Sequence, residues 1–400
     1  MPLRVLLAHN RYMEPGGEDL AYESDVALLR RRGHYVAELI EDNNRIGGMG
    51  QARLAARTIW SIDSRKRVAE LIEETHPDVI HFHNTFPLLS PSVYSASASY
   101  GIPVVQTLHN FRLLCLNGLF YRDGHVCEDC MRRFLPWPGV LHACYRSSRP
   151  ASGVVAVMLS FHPLLGTWTK RVDAYIALTN HTREKLVAGG LPPDKIVVRP
   201  NFVDPDPGRS EGEAKPYALF VGRLSQEKGV QILLRAWGLV RREIPLVMIG
   251  DGPLSSELKG LVESRELSNV KLMGHQPRNR VLAALKGARF LVVPSNCYES
   301  FSLALVEAFA SGVPIVASRL GAMAEIVDDG RTGLLFEPGN AVDLADKVNR
   351  LWSNAEQSQA MGGQARQDFE RKYTAEQGYQ ELMAIYNRLI GARRGNGHSE

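Results

Sequence analysis

Short apolar runs alternate with amphipathic helical patterns along most of the chain. β-Branched runs at 4–9 and 78–83 are separated by helical periodicity around Leu20–Arg32 and Arg65–Thr75. Strands and helices that alternate at this spacing predict parallel βαβ units, in which helices cover a parallel sheet. Similar strand patterns follow at 34–40, 103–109 and 171–179. The first half of the chain is therefore predicted to form a doubly wound α/β domain.

The same alternation starts again after residue 216. Strands are predicted at YALFVGRL, PLVMIGDG, NVKLMG, RFLVVPS, PIVAS and GLLF, with helices at 228–240, 255–266, 278–287 and 303–311. The segment Asn201–Pro216, rich in proline and charge, is typical of an interdomain linker. We therefore expect two facing Rossmann-like domains, with ligands bound by loops at the carboxyl ends of the strands.

The remaining segments complete the expected organisation. The alternation breaks from Asn110 to about Pro150, which predicts an insertion or a binding loop. Helical patterns at 341–352, 355–372 and 375–392 close the chain. We expect a first domain at 1–203 with a Cys-containing loop at 110–150, a second domain at 204–374, and a helix at 375–400 that packs back on the first domain, followed by a tail.

Composition and charge exclude some classes of protein. The chain has 400 residues, of which 44% are hydrophobic and 22% charged, as in ordinary globular proteins. A net charge of +4 is too small to indicate a nucleic-acid binder. Residues 1–203 contain 23 basic and 19 acidic residues, against 24 of each in the remainder. An anionic partner or a membrane surface is therefore expected at the first half.

The sequence also indicates in which cell compartment the protein is expected. The first residues lack the apolar core of a secretory signal, and Ser152–Trp168 is interrupted and too short to span a bilayer. Five cysteines, an odd number, fit a reducing compartment. We expect a cytoplasmic protein, with peripheral contact at the inner face of the membrane as a minority alternative.

Candidate binding loops follow the first strand of each domain. Gly16 and Gly17 precede a helix, where backbone amides could approach an anion, although an ordinary glycine turn would look the same. The strand after the linker leads into GRLSQEKG at 222–229. Arg223 and Lys228, beside a helix start, suit a diphosphate, whereas solvated side chains at a turn are the structural alternative. The spacing is not that of a Walker A loop.

A pair of glutamates flanks a later helix start. Glu299 lies in the loop after the strand FLVVPS, and Glu307 lies inside the following helix. Carboxylates suit vicinal hydroxyls because each oxygen accepts hydrogen bonds. Either glutamate alone could simply complement the helix dipole.

These motifs together resemble the family 4 retaining glycosyltransferases. The matching residues are Gly16-Gly17-Glu18, His109, GRLSQEKG, GDGP at 250–253, and the segment from Glu299 to Glu307. The resemblance implies a glycosyltransferase-B fold over residues 1 to about 390, with an acceptor-side domain at 1–203 and a nucleotide-sugar-binding domain at 204–374. It also implies transfer of a sugar from a nucleotide diphosphate sugar to an acceptor hydroxyl with retention, in cell-surface polysaccharide or glycoconjugate synthesis. No catalytic cofactor is expected.

The resemblance also implies residue roles. The residues expected in catalysis are His109, Glu299, Arg223 and Lys228. Arg223 and Lys228 would neutralise the donor diphosphate, Glu299 would hold the sugar and Glu307 the ribose. The expected donor site comprises Gly16, Gly17, Gly222, Arg223, Lys228, Gly250, His275, Pro277, Arg278, Glu299, Ser300, Phe301, Ser302, Leu303 and Glu307. Ser300 and Ser302 replace common glycines of the family, so a positive φ at either position would be costly.

Four of the five cysteines fall in the segment 110–150: Cys115, Cys127, Cys130 and Cys144. One CxxC with two outlying cysteines is compatible with a structural zinc site, and reduced, uncoordinated thiols are the alternative. We expect this segment, with its arginines, to bind an anionic or lipid-linked acceptor. For the whole chain, a sugar-nucleotide epimerase or phosphorylase and a non-catalytic sugar-nucleotide sensor remain alternatives.

Overall fold

A computed structural model describes residues 2–14, 16–209, 217–240, 244–264 and 267–396, with side chains up to residue 393. Part of the expected linker (210–216), the end of the expected helix 255–266 and the last residues of the tail (397–400) lie outside the described residues.

The chain forms two compact units, which are described separately. The first contains the residues up to Phe120, Glu128–Pro200 and the residues from Gly378 onward. The second contains Tyr121–Cys127 and Asn201–Gln377. A short piece of the Cys-containing segment thus groups with the second unit.

The first unit is built on a six-stranded parallel sheet, in the order β2-β1-β3-β4-β7-β8. The strands up to residue 200 are β1 (Arg4–Arg11), β2 (Tyr35–Asp42), β3 (Val79–Phe82), β4 (Val104–Leu108), β5 (Tyr121–Arg122), β6 (His125–Val126), β7 (Ala174–Ala177) and β8 (Ile196–Val198). Strands β5 and β6 form a separate antiparallel hairpin. Because β3, β4 and β7 are buried along their whole length, they are the middle of a sheet covered on both faces.

Helices cover this sheet. They are α1 (Gly17–Arg31), α2 (Gln51–Ile59), α3 (Ile62–Thr75), α4 (Val93–Ser99), α5 (Trp137–Leu141), α6 (Arg149–Leu164), α7 (Thr167–Lys170) and α8 (Asn180–Ala188). Short 3₁₀ turns occupy Asn43–Gly48 and Pro193–Lys195. Side-chain oxygens of Ser61, Ser148 and Thr179 accept hydrogen bonds from the first turns of α3, α6 and α8, which fixes where these helices begin.

The second unit repeats the architecture, with strand order β11-β10-β9-β12-β13-β14, all parallel. Its strands are β9 (Ala218–Val221), β10 (Leu246–Ile249), β11 (Val270–Leu272), β12 (Phe290–Val293), β13 (Ile315–Ser318) and β14 (Gly333–Phe336). A 3₁₀ turn at Gln226–Lys228 precedes the first helix. The helices are α9 (Val230–Trp237), α10 (Ser255–Ser264), α11 (Arg278–Gly287), α12 (Leu303–Ala310), α13 (Gly321–Ile326), α14 (Ala341–Ser353) and α15 (Ala355–Lys372).

The last helix, α16 (Ala375–Asn396), packs on the first unit. Its side chains Leu382, Ile385, Tyr386 and Ile390 join the buried core around Val5, Leu7 and Val105. The hydroxyl of Tyr386 lies 2.7 Å from His81 Nδ1, and that of Tyr379 lies 2.8 Å from His34 Nε2. The predicted fold class, two doubly wound domains with a helix returning to the first, is confirmed.

The structure adds helices that the sequence pattern did not predict. Residues 137–170 form α5, α6 and α7, where an irregular loop and an interrupted apolar stretch were expected. Among the described residues, no helix is both long enough and apolar enough to cross a bilayer.

Candidate functional site

Three loops meet at the carboxyl edge of the second sheet. The amide of Gly222, after β9, donates to Ile249 O at 3.0 Å, and the amide of Gly250, after β10, donates to Gly274 O at 2.9 Å. Gly250 has a φ of 143°, and a Cβ there would lie 1.8 Å from the carbonyl oxygen of Gly222. Only glycine therefore allows the loops after β9 and β10 to approach this closely.

Lys228 and Glu299 form an ion pair at this edge. Lys228 Nζ donates to Glu299 Oε1 at 2.7 Å, and Ser295 Oγ donates to the same oxygen at 2.7 Å. Burial by itself lowers the pKa of the Lys228 ammonium, but the carboxylate of Glu299 more than offsets this and raises that pKa well above its usual range. Lys228 therefore keeps its positive charge in a partly buried site.

A glycine places Lys228 against the loop that carries Glu299. Gly229 has a φ of 68°, and a Cβ there would lie 1.8 Å from Pro294 O. The amide of Asn296 donates to Glu227 O at 2.8 Å, which joins the 3₁₀ turn to the loop after β12. The sequence Glu227-Lys228-Gly229 thus holds Lys228 close to the carboxyl end of the neighbouring strand, β12.

Glu307 and Arg278 form a second ion pair, 2.9 Å apart. Glu307 lies inside α12 and is 6% exposed. Burial raises the pKa of its carboxyl above the ordinary value, and the charge of Arg278 offsets only part of this rise. Ser302, the residue before α12, has an extended φ of −117°, and Ser300 is not among the residues with positive φ. The serines that replace common glycines are therefore accommodated without backbone strain.

The other predicted donor-site residues lie on the same helix start or on neighbouring loops. Phe301 is buried just before α12, and Leu303 is the first residue of that helix. Arg223, His275 and Pro277 are exposed on the loops after β9 and β11. The segment 299–307 thus supplies a glutamate to each of the two ion pairs, Lys228–Glu299 and Arg278–Glu307.

In the first unit, His109 follows β4 and lies against a second histidine. His109 Nε2 is 3.0 Å from His83 Nδ1, and the two rings stack with centroids 5.2 Å apart. Burial, with the charges of His9 and Arg199, lowers the pKa of His109 to about 3. His109 is therefore uncharged at neutral pH.

The predicted glycine loop lies at the same edge of the first sheet. Gly17 begins α1, and the amide of Gly16 donates to Asp19 Oδ2 at 2.9 Å. Asp19 Oδ1 in turn lies 2.9 Å from His9 Nε2. Gly16 has an extended φ of −132°, and a Cβ there would meet nothing within 4 Å. Neither backbone strain nor a close contact therefore requires glycine at position 16.

A polar cluster beside this loop was missed by sequence reasoning. Asn110 Nδ2 donates to Glu18 Oε2 at 3.3 Å and to Tyr12 OH at 3.3 Å. Burial raises the pKa of Glu18 to about 8. Tyr12 follows β1 and Asn110 follows β4, so the only sequence signal was their position after strand ends.

Buried charged residues beneath His109 were also missed. Asp25 accepts hydrogen bonds from Arg199 at 2.7 and 3.1 Å, and His83 Nε2 lies 3.5 Å from Asp25 Oδ2. His81 lies within β3 and His83 directly follows it, so both were read as part of an apolar strand run.

The zinc hypothesis is not supported by the arrangement of the cysteines. Throughout the part of the chain that the structure describes, no group of three or more His, Cys, Asp or Glu side chains could hold a metal ion, Cys115, Cys127, Cys130 and Cys144 included. Cys115 is buried and its Sγ donates to Asn117 Oδ1 at 3.0 Å.

A short piece of the Cys-containing segment, Tyr121–Cys127, groups with the second unit. Burial, then the charge of Glu227, raises the pKa of Tyr121 to about 12. Glu227 directly precedes Lys228, so the hairpin β5–β6 begins near the loop that follows β9.

Two family models match successive parts of the chain. The model described as Glycosyltransferase Family 4 matches residues 18–207, and the model described as Glycosyl transferases group 1 matches residues 206–368. The boundary between the two matches falls within seven residues of the boundary between the two units.

Two curated relatives each match about half of this chain. An uncharacterized glycosyltransferase of Methanocaldococcus jannaschii is 32% identical over 196 residues, covering 49% of this chain and 54% of the relative. O-antigen chain mannosyltransferase C of Escherichia coli is 28% identical over 179 residues, covering 44% of this chain and 48% of the relative. The match thus spans about half the length of each of these relatives.

Solved structures match over the whole chain. The crystal structure of Anabaena HepE in complex with UDP has a TM-score of 0.69 and 18% identity, covering 97% of this chain and 100% of HepE. At this identity the likeness shows the fold. With two adjoining family models that account for residues 18–368, the chain belongs to the family 4 glycosyltransferases, retaining enzymes of the glycosyltransferase-B fold.

Proposed function

We propose that this chain transfers a sugar from a nucleotide diphosphate sugar to an acceptor hydroxyl with retention of configuration. The observation that carries the proposal is the Lys228–Glu299 ion pair at the carboxyl edge of the second sheet, 2.7 Å apart and adjoining the start of α12. A cation and a carboxylate held together at this edge offer a diphosphate and a sugar hydroxyl their preferred partners.

Lys228 supplies the charge for the diphosphate. Its pKa is raised by Glu299, so it is fully protonated at neutral pH. Arg223 lies on the same loop, and the first amides of α12 provide further donors at the edge. Donors that are already in place stabilise the charge that develops on the departing diphosphate, and this requires no metal ion.

The two glutamates bind hydroxyls on either side of the diphosphate. When phosphate oxygens take over Lys228, Glu299 is released to accept hydrogen bonds from the transferred sugar. Glu307, one turn inside α12 and paired with Arg278, serves the ribose. The resemblance to the family assigns His109 a catalytic role, and its imidazole is neutral because its pKa is about 3.

We propose UDP as the first candidate nucleotide and surface polysaccharide synthesis as the process. HepE, which has the same fold, is described in complex with UDP. The relative from Escherichia coli is named for the O-antigen chain. A sugar or lipid-linked acceptor fits this proposal.

A thermal-shift screen against UDP, GDP, ADP and their sugars tests the donor site. One nucleotide should raise the melting temperature, and its sugar should then be transferred to an acceptor extract with release of nucleoside diphosphate. A flat response to every nucleotide would contradict the proposal. Conversion of the donor without an acceptor would indicate an epimerase, and binding without turnover would indicate a sensor.

A further inference from the structure

Exposed apolar side chains are concentrated on one short part of the first unit. Seven of the fourteen exposed large apolar residues described in the structure fall within residues 134–164. Phe134 is 63% exposed, Trp137 51% and Leu164 71%. The full set is Phe134, Leu135, Trp137, Leu141, Val157, Phe161 and Leu164. Contiguous apolar patches on a protein surface are usually interaction sites.

These residues lie on two adjacent antiparallel segments. Ser160 Oγ donates to Phe134 O at 2.7 Å at one end, and Arg149 Nε donates to Leu141 O at 3.2 Å at the other. The segment before and within α5 therefore runs alongside α6 in the opposite direction. The two rows of exposed side chains are neighbours, and we call them together the α5–α6 face.

Helix α6 presents apolar residues to both sides. Val155, Met158 and Leu159 are buried against the first unit. Val157, Phe161 and Leu164, spaced four and three residues apart, share the opposite, exposed side. A surface helix would ordinarily carry polar residues there.

The part of the sequence that forms this face carries charges of one sign. Residues 130–172 contain six arginines and lysines and neither aspartate nor glutamate. The Arg133 guanidinium lies 5.5 Å from the centre of the Trp137 ring, so a cation adjoins an exposed aromatic side chain. Basic residues beside exposed Trp, Phe and Leu are the composition that binds an anionic bilayer surface.

We propose that the α5–α6 face docks the first unit on an anionic lipid bilayer. The apolar side chains enter the boundary between headgroups and acyl chains, and the arginines pair with lipid phosphates. Helix α6, 16 residues long, lies along the surface. The proposal goes beyond the proposed function and does not depend on it, because docking requires no sugar transfer.

Co-sedimentation of the full chain with vesicles tests the proposal. The protein should co-sediment with vesicles of phosphatidylglycerol and phosphatidylcholine at low salt. Vesicles of pure phosphatidylcholine, or high salt, should weaken this binding. The variant Trp137→Asp/Phe161→Asp should lose at least about tenfold in vesicle affinity. Its melting temperature should stay within a few degrees of that of the unchanged protein, which verifies that it folds.

Matched controls separate this face from general surface effects. Ile62→Asp changes another apolar side chain of the same unit, 71% exposed, and should leave binding intact. Arg133→Glu should weaken binding, and Arg53→Glu, an equal charge change at an exposed position on α2, should not. Absence of binding to anionic vesicles, or equal losses in the controls, would overturn the proposal. Concentration-dependent dimerisation through this face without vesicle binding would also overturn it.

Discussion

His83 Nδ1 lies 3.0 Å from His109 Nε2, and the far side of the His83 ring faces a buried carboxylate. His83 Nε2 is 3.5 Å from Asp25 Oδ2 and makes no hydrogen bond to another described residue, so we expect the carboxylate to favour the tautomer in which this nitrogen carries the proton. In that tautomer His83 Nδ1 accepts a hydrogen bond and His109 donates it from Nε2. We therefore expect Asp25, itself bonded to Arg199, to set the tautomer of His109 through His83.

The variant His83→Phe tests this relationship. It removes the acceptor for His109 Nε2, and the unpaired buried N–H should cost about 1–3 kcal/mol of unfolding free energy. Long-range ¹⁵N–¹H spectra of the unchanged protein should show His109 protonated on Nε2 and neutral at pH 5. Protonation on Nδ1 would contradict the relationship. His125→Phe, at an exposed histidine, should leave stability nearly unchanged.

The buried Arg199–Asp25 pair should be essential to the stability of the first unit. Asp25→Asn removes the carboxylate that accepts hydrogen bonds from Arg199, which is 1% exposed, and breaking such a buried pair should cost about 3–5 kcal/mol. Chemical unfolding measures this loss. As a comparison, Glu70→Gln breaks an exposed pair with Arg67 and should change stability by less than about 1 kcal/mol. Similar small losses in both variants would show that the buried pair contributes little.

Periodicity predicted five of the six strands of the first sheet and all six strands of the second, because apolar strand runs and helical repeats occupy separate segments there. It also predicted the loops that carry Lys228 and Glu299 and the helix that carries Glu307. It did not predict β8 (Ile196–Val198), which is only three residues long. It did not reveal that Asp25 and Arg199 form a pair, since 174 residues separate them in sequence. Proline obscured α5 and α6, although Pro138 and Pro150 occupy first-turn positions, where proline needs no hydrogen-bond partner.

Glu18 should make the free energy of unfolding fall as the pH rises through neutrality. Its pKa is raised by burial to about 8 in the folded chain, above the ordinary value of 4.5. The folded state therefore holds a proton that the unfolded state has lost, and stability decreases as pH rises from 4.5 through about 8. Glu18→Gln should unfold at higher denaturant concentration than the unchanged protein at pH 9 and show little difference at pH 5. An identical pH dependence in both proteins would refute this, and Glu263→Gln, at an exposed carboxyl, serves as control.

Gly250 should tolerate no side chain. Alanine at this φ of 143° would bring its Cβ to 1.8 Å from the carbonyl oxygen of Gly222, so the loops after β9 and β10 must separate. We expect Gly250→Ala to cost about 1–3 kcal/mol and to weaken nucleotide binding, measured by thermal shift with and without UDP. Gly260→Ala, inside α10 with open space around its Cα, should instead stabilise by about 0.5–1 kcal/mol. Normal UDP binding by Gly250→Ala would show that the loop contact does not shape the donor site.

The structural role of Lys228 can be separated from its functional role by mutation. Lys228→Ala should lower sugar transfer by about 10²-fold or more, because it removes a charge placed for the departing diphosphate. It also leaves Glu299, 10% exposed, without its partner, which lowers stability. The double variant Lys228→Met/Glu299→Gln removes both charges and should recover the stability while transfer stays low. Recovery of transfer together with stability would show that the pair serves the fold alone, and Lys259→Ala, an exposed lysine on α10, should retain full transfer and stability.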